Sequence, residues 1–168
     1  MNHSTVRSEA TIVGLLSRCV EEHPDTMFVD LGGIEYSYAE LWQRSLDFAG
    51  VLRAGGVEPG QTVVSLQDTH IDGIASWIGA NMLGAIWVGT NTALRAEFLR
   101  HVVTDAGARV VIAEPDLGDR LDAIGDQLPD VQLVLQRGSE QLRSSRRLRI
   151  EPLDDFRRRP MPVPRFGT

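Results

Sequence analysis

The sequence predicts an α/β fold: a mostly parallel sheet sandwiched by helices, with a small N-terminal hairpin. Three observations carry this. From Val63 onward, short runs rich in Val, Ile and Ala alternate with amphipathic stretches of roughly 10–15 residues, the rhythm of βαβ units. The strand candidates are apolar throughout, as in a sheet covered on both faces. Glycine and proline punctuate the joints, at Gly55-Gly56, Pro59-Gly60, Gly84 and Gly107.

Taken in order, a first helix is predicted over Thr11 to Glu22, with Ile12, Leu15, Leu16, Cys19 and Val20 on one face. His23-Pro24 ends it, because the residue before proline is pushed out of the helical region. Met27-Phe28-Val29 and Ile34-Glu35-Tyr36 flank Gly32-Gly33 as a hairpin. Ser37 with Glu40 three residues on forms the capping-box pattern. The helix that follows turns Leu41, Trp42, Phe48, Ala49 and Leu52 inward and stops at Gly55-Gly56. Val63 to Leu66 is a strand, and a helix near Asp72–Leu83 buries Ile74, Ala75, Ile78 and Met82. Ala85 to Val88 is a strand. Thr92 caps a helix carrying Leu94, Phe98, Leu99, Val102, Val103 and Ala106 inward, and Gly107 closes it. Arg109 to Ala113 is a strand, Asp116–Gln127 a helix with Leu117, Leu121 and Ile124 inward, and Val131 to Leu135 the last strand. Residues 137–149 are polar and arginine-rich, Pro152 to Arg159 holds one short helix, and Pro160 to Pro164 is extended.

A chain of 168 residues is enough for one domain with a real core. The domain boundaries are read as a disordered N-terminus over 1–10, a body over 11–156 and an Arg/Pro-rich tail over 157–168. All 17 basic residues are arginine, so lysine chemistry is excluded. The net charge of −6 is uneven: residues 1–136 carry −11 and residues 137–168 carry +5. An acidic body argues against nucleic-acid binding. One cysteine, Cys19, excludes a disulfide framework and fits a reducing, cytoplasmic setting. Residues 73–94 carry no charge, yet Ser76, Gly79, Asn81 and Gly84 make them a buried helix followed by a strand, not a membrane span.

No catalytic constellation stands out. G-x-G-x-x-G is absent, and Gly55 to Gly60 follows a helix where a dinucleotide loop follows a strand. A Walker loop is impossible without lysine. Asp68-Thr69-His70-Ile71-Asp72 concentrates two carboxylates and an imidazole between a strand and a helix. Its first reading is helix capping, ahead of a metal or catalytic role, although it lies at the carboxyl end of a parallel strand where α/β sites form. His101 reads as a structural histidine, Cys19 as core, and Trp77 and Trp87 as core or sheet-covering residues rather than a stacking platform. Arg157-Arg158-Arg159 with Arg146-Arg147 reads as a solvated tail before an anion-binding one. Asn2-His3-Ser4 fits a glycosylation sequon without a secretory signal to give it meaning.

Four segments in order resemble the N-terminal region of the adenylate-forming enzymes, the family of acyl-CoA synthetases, luciferase and peptide-synthetase adenylation domains. They are Tyr36-Ser37-Tyr38-Ala39-Glu40-Leu41, Gly56 to Val63, Gly84-Ala85-Ile86-Trp87-Val88-Gly89-Thr90-Asn91, and Ala108-Arg109-Val110-Val111-Ile112. The resemblance covers Thr11 to Phe156. Asn91 to Arg95 with Phe98 to His101 looks most like the carnitine-CoA ligase and fatty-acid-transport-protein branch. Gln61 stands where the family prefers Asp, and Gly89 where it prefers Pro. The resemblance implies an ATP-dependent acyl-CoA ligase: a carboxylate and ATP give an acyl-adenylate, and CoA then displaces AMP. It implies ATP, Mg and CoA for the full-length family and a carboxylic, fatty-acid substrate. The family's phosphate loop and catalytic lysine have no counterpart here, so no catalytic, cofactor-binding or metal residue carries over, and this chain alone is expected to be inactive and truncated. It is expected to need no nucleic acid, to span no membrane and to self-associate through exposed apolar surface. The rival readings are a non-catalytic module that binds a partner chain or small ligand, and a peripheral protein holding anionic lipid with its arginine-rich tail.

Overall fold

The computed structural model describes residues 11–138 and 147–157. The sequon at Asn2, the predicted disorder over 1–10, Arg146, Arg158, Arg159 and the proline-rich stretch lie outside the described residues. Helix α1 (Ile12–Glu22) is capped by Thr11, whose Oγ1 accepts the Gly14 N–H at 3.0 Å. Leu16 is buried, but Leu15, expected on the inward face, is 50% exposed. The predicted hairpin forms from β1 (Met27–Asp30) and β2 (Glu35–Ser37), paired antiparallel. The Asp30 carboxylate accepts the Gly33 N–H at 2.7 Å and fixes its turn. Helix α2 (Tyr38–Ala54) starts with the complete capping box: Ser37 Oγ accepts the Glu40 N–H at 3.2 Å, and Glu40 Oε2 accepts the Ser37 N–H at 2.8 Å.

Five parallel strands make the main sheet, in the order β4-β3-β5-β6-β7. They are β3 (Thr62–Leu66), β4 (Ile86–Gly89), β5 (Ala108–Ala113), β6 (Leu133–Gln136) and β7 (Ile150–Pro152). The linking helices are α3 (Ile71–Met82), α4 (Ala96–Asp105) and α5 (Gly118–Ala123), and α6 (Leu153–Arg157) follows β7. Successive strand residues point to opposite faces, and the core divides accordingly. Val63, Val110, Ile112, Leu133 and Leu135 meet Leu41, Phe48, Leu52, Ile71 and Ile78 of α2 and α3 on one face. Val64, Leu66, Val111, Ala113 and Val134 meet Leu99, Val103, Leu117 and Leu121 on the other. Each such fully buried side chain contributes about 1.5–3 kcal/mol relative to exposure. Helices α2 and α3 touch through Gly79, where an added Cβ would lie 2.8 Å from both the Phe48 Cβ and the Ser45 carbonyl oxygen.

The structure corrects several expectations. Strand β7 comes after the polar, arginine-rich stretch, so Val131 to Leu135 is not the last strand; Ile-Glu-Pro carries no apolar run to announce it, and pairing Ile150 with Val134 makes it a strand. Thr92 does not cap α4, which starts at Ala96 after Arg95 with no side-chain cap. Phe98 is 72% exposed, because Leu99 and Val103 define the buried stripe and Phe98 stands about 100° round the helix from Leu99. The helix expected over 116–127 breaks into a 3-10 turn (Pro115–Leu117), α5 and a second 3-10 turn (Gly125–Gln127). Gly118 and Gly125 weaken it, and both sit so close to Gln136 and Arg147 that a Cβ would collide. Leu117, Leu121 and Ile124 still face inward as expected. Gly107, at φ 58°, closes α4 in the left-handed region, as its glycine predicts. Gly84 divides the uncharged stretch between α3 and β4, and no helix among the described residues is long and apolar enough to cross a membrane.

Candidate functional site

The chain runs from β3 to β4 on one side, then returns across to β5 on the other. Loops therefore diverge at the carboxyl ends of β3, β4 and β5, the place where open α/β sheets form crevices. An open cleft of about 390 Å3 lies there, over β3 and β4 and against α3. Its walls are Ile74, Trp77 and Trp87, and Gln67, His70 and Asn91 are among its polar lining. The two indoles stand 6.4 Å apart between centroids, tilted by 46°.

Two constraints hold Trp87 in place. Its Nε1–H donates to Ser76 Oγ at 3.2 Å. Its ring also folds over Gly89, where an added Cβ would lie 2.5 Å from the ring carbon Cη2. Ser76 donates to the Gly73 carbonyl at 2.9 Å and lies 3.2 Å from Gln67 Oε1, which also accepts from Ser65 Oγ at 2.9 Å. The other end of that amide is different. Gln67 Nε2 is shut off from water and has no hydrogen-bond partner among the described residues. An orphaned buried donor of this kind costs about 1–3 kcal/mol.

The charge around the cleft is slight. Asp68 accepts the Thr92 hydroxyl at 2.7 Å, which is where Thr92 goes instead of capping α4, and the Asp68 N–H donates to Glu114 Oε1 at 3.1 Å. His70 caps α3, as the capping reading of this segment expected: its Nδ1 accepts the Asp72 N–H at 3.2 Å. Burial, and then the Arg137 guanidinium, hold the His70 imidazole below its ordinary value of 6.5, so it is neutral at pH 7.

Beside the cleft the same strand ends carry an ionic cluster. The Asp72 side chain is only 6% exposed, with Arg157 Nη2 at 2.8 Å, Arg137 Nε at 3.4 Å and Arg44 Nη1 at 3.8 Å. Arg137 also reaches Glu114 at 2.5 Å. Arg157 stacks its guanidinium 4.6 Å above the Phe48 ring. Arg157 is thus the last residue of α6 and part of the body, which corrects its reading as solvated tail.

Sequence reasoning placed Asp68 and His70 at the strand end but missed Gln67, the pairing of Trp77 with Trp87, and the Glu114–Arg137–Asp72 links. One signal was available: glycine at 89, against the family's preference for proline, beside a tryptophan. His101 is exposed on α4, away from the cleft, and Cys19 is half-buried on α1. Among the described residues no group of three His, Cys, Asp or Glu side chains could hold a metal ion.

Comparison with known proteins gives the lineage. The sequence model of the AMP-binding enzyme family matches residues 16–164. A feruloyl-CoA synthase of Amycolatopsis sp. is 31% identical, over 67% of this chain and 26% of its own length. Tyrocidine synthase 3 of Brevibacillus parabrevis is 26% identical over 71% of this chain and 2% of its own. Among solved structures, the anthranilate CoA ligase AuaEII in complex with anthranoyl-AMP superposes with a TM-score of 0.81 at 22% identity. That superposition covers 97% of this chain and 30% of the ligase. The chain therefore spans about a quarter of the length of this feruloyl-CoA synthase.

Proposed function

Because this chain belongs to the AMP-binding enzyme family, we propose that it is the N-terminal part of an ATP-dependent acyl-CoA ligase. The whole ligase joins a carboxylate to the α-phosphate of ATP with release of pyrophosphate, and CoA thiol then displaces AMP. The family match over residues 16–164 carries this reading. The fatty-acid branch read from Asn91 to His101 stands beside aromatic acids, since feruloyl-CoA synthase and anthranilate CoA ligase are among the similar proteins.

The residues present do not fit a magnesium-bound triphosphate. That ligand calls for a glycine-rich nest of N–H groups, a lysine and a carboxylate-held cation. The chain has no lysine. Asp68, the carboxylate in the cleft lining, has no second carboxylate beside it among the described lining residues to share a cation, while Asp72 and Glu114 are matched by arginines. These residues alone therefore do not form acyl-adenylates. Their part is scaffold. The test is ATP–pyrophosphate exchange by the purified chain with a panel of fatty and aromatic acids. No exchange above a heat-killed control is expected; exchange that survives repurification overturns the scaffold reading.

A cytoplasmic location and self-association belong to the same proposal. Self-association is supported by Phe98, Ile34, Ile86 and Met27, each more than half exposed. Light scattering at micromolar concentration reads it directly: oligomers are expected, and a clean monomer that binds no hydrophobic dye counts against it.

A further inference from the structure

Beyond that reading, we propose that the cleft between α3 and β4 binds a neutral, planar aromatic molecule bearing a carbonyl oxygen. The ring would lie against Trp87 and Trp77, and the oxygen would accept from Gln67 Nε2–H. Three independent features lead there. The first is shape: about 390 Å3 suits a one- or two-ring molecule. Two indoles 6.4 Å apart, one of them pinned, offer it faces and edges to pack on.

The second is the built character of the wall. Trp87 is pinned at its nitrogen by Ser76, and its ring occupies the space that any side chain at position 89 would take. A tryptophan serving only as sheet cover needs neither constraint. The third is the unsatisfied donor. Gln67 lines the cleft, its Oε1 accepts from Ser65 Oγ at 2.9 Å, and its Nε2 lacks a partner among the described residues. This N–H is shut off from water in the free chain, so binding requires the amide to turn about its broad terminal torsion and give up its Ser65 bond to meet an acceptor in the cleft. The ligand then supplies the hydrogen bond that the protein withholds.

Electrostatics sets the ligand's charge. Among the described residues the only charged side chain in the lining is Asp68, because His70 is neutral at pH 7 and the arginines of the neighbouring cluster are turned to Asp72 and Glu114. No cation among the described lining residues is available to a carboxylate, and Asp68 repels one. Benzamide, which keeps the ring and the acceptor without the charge, is therefore the favoured probe over benzoate.

The experiment titrates the whole chain with benzamide, benzoate and toluene and follows the indole N–H resonances of Trp77 and Trp87. Neither ATP nor CoA is present, so the outcome is independent of any ligase activity. Saturable shifts with benzamide are expected, with roughly tenfold weaker binding of benzoate and of toluene. Gly89→Ala, which displaces the indole, should weaken benzamide roughly tenfold. Gln67→Leu should abolish the preference for benzamide over toluene. Circular dichroism checks that each variant is folded; should Gly89→Ala fail to fold, Gln67→Leu decides alone. Equal binding of benzamide and benzoate, indole shifts that do not saturate, or a preference that survives Gln67→Leu overturns the proposal.

Discussion

The carboxyl edge of the sheet has two unlike halves. Over β5, β6 and β7, the carboxylates of Asp72 and Glu114 are ion-paired with Arg44, Arg137 and Arg157, drawn from α2, the residue after β6, and α6. Over β3 and β4 the lining is nearly neutral, two tryptophans stand apart, and a buried amide N–H goes unmatched. The contrast separates two uses of one topological position. One half has been closed by its own side chains and works as a fastener between elements; the other has been left open with a hydrogen bond to give.

The largest expected effect comes from breaking the fastener. Asp72→Ala leaves three guanidinium groups without their shared carboxylate. Removing one partner of a buried pair costs about 3–5 kcal/mol, and the lower end applies because the arginines reach water. Urea unfolding should show a loss of about 3 kcal/mol; a loss below about 1 kcal/mol would reduce the cluster to an ordinary surface array. Next comes the open half. Gly89→Ala forces the Trp87 ring off its seat and should cost about 1–3 kcal/mol, the range for overpacking, with a changed near-ultraviolet spectrum. An unchanged spectrum would mean that the indole does not rest on this glycine.

Arg157→Met should have a smaller effect, about 1 kcal/mol, since it removes one of three cations and its stacking on Phe48 while retaining an apolar stem. If it matches Asp72→Ala, α6 rather than Asp72 is the keystone. The smallest effect sits at the border of the halves. Folding lowers the proton affinity of His70, so as pH falls the unfolded chain takes up its proton first. The stability linked to it is fully present above 6.5 and drops between 6.5 and the lower folded value. His70→Asn keeps a cap that accepts from the backbone but cannot titrate. Wild type minus variant should slope in that window alone; a difference flat from pH 7.5 to 5 would rule out a titrating cap.

What was legible in the sequence follows the same division. Local signals were read correctly: the Ser37 capping box, the Thr11–Glu22 helix, the glycine closing α4, the apolar strands β3 to β6. Each is set by residues a few positions apart. Strand β7 and the Asp72 cluster were not legible, because their partners are far off in the chain; Asp72 meets Arg137 and Arg157 only once the sheet is built. The cleft lies between these cases. Asp68 and His70 were placed at a strand end from order alone, but the orphaned amide of Gln67 is a fact of packing that no pattern of residue types contains.

The all-parallel order of the sheet also governs how the chain acquires it. None of its strand pairs is closed by a hairpin: Val64 pairs with Val88 and Val111, and Val134 with Ile150, each across a crossover. Every rung must wait for loop closure before it returns any stabilisation, so the folding barrier is mainly entropic and the rate belongs in the slower part of the range for mixed domains. Helices α2 and α3 meet at Gly79 across only one intervening strand, so their packing is a comparatively local tertiary contact in the larger core. The transition state should therefore hold this helix pair with β3 between them, while β7 and α6 arrive last. Truncating Ile78 to Val should slow refolding, whereas truncating Leu153 to Ala should chiefly hasten unfolding.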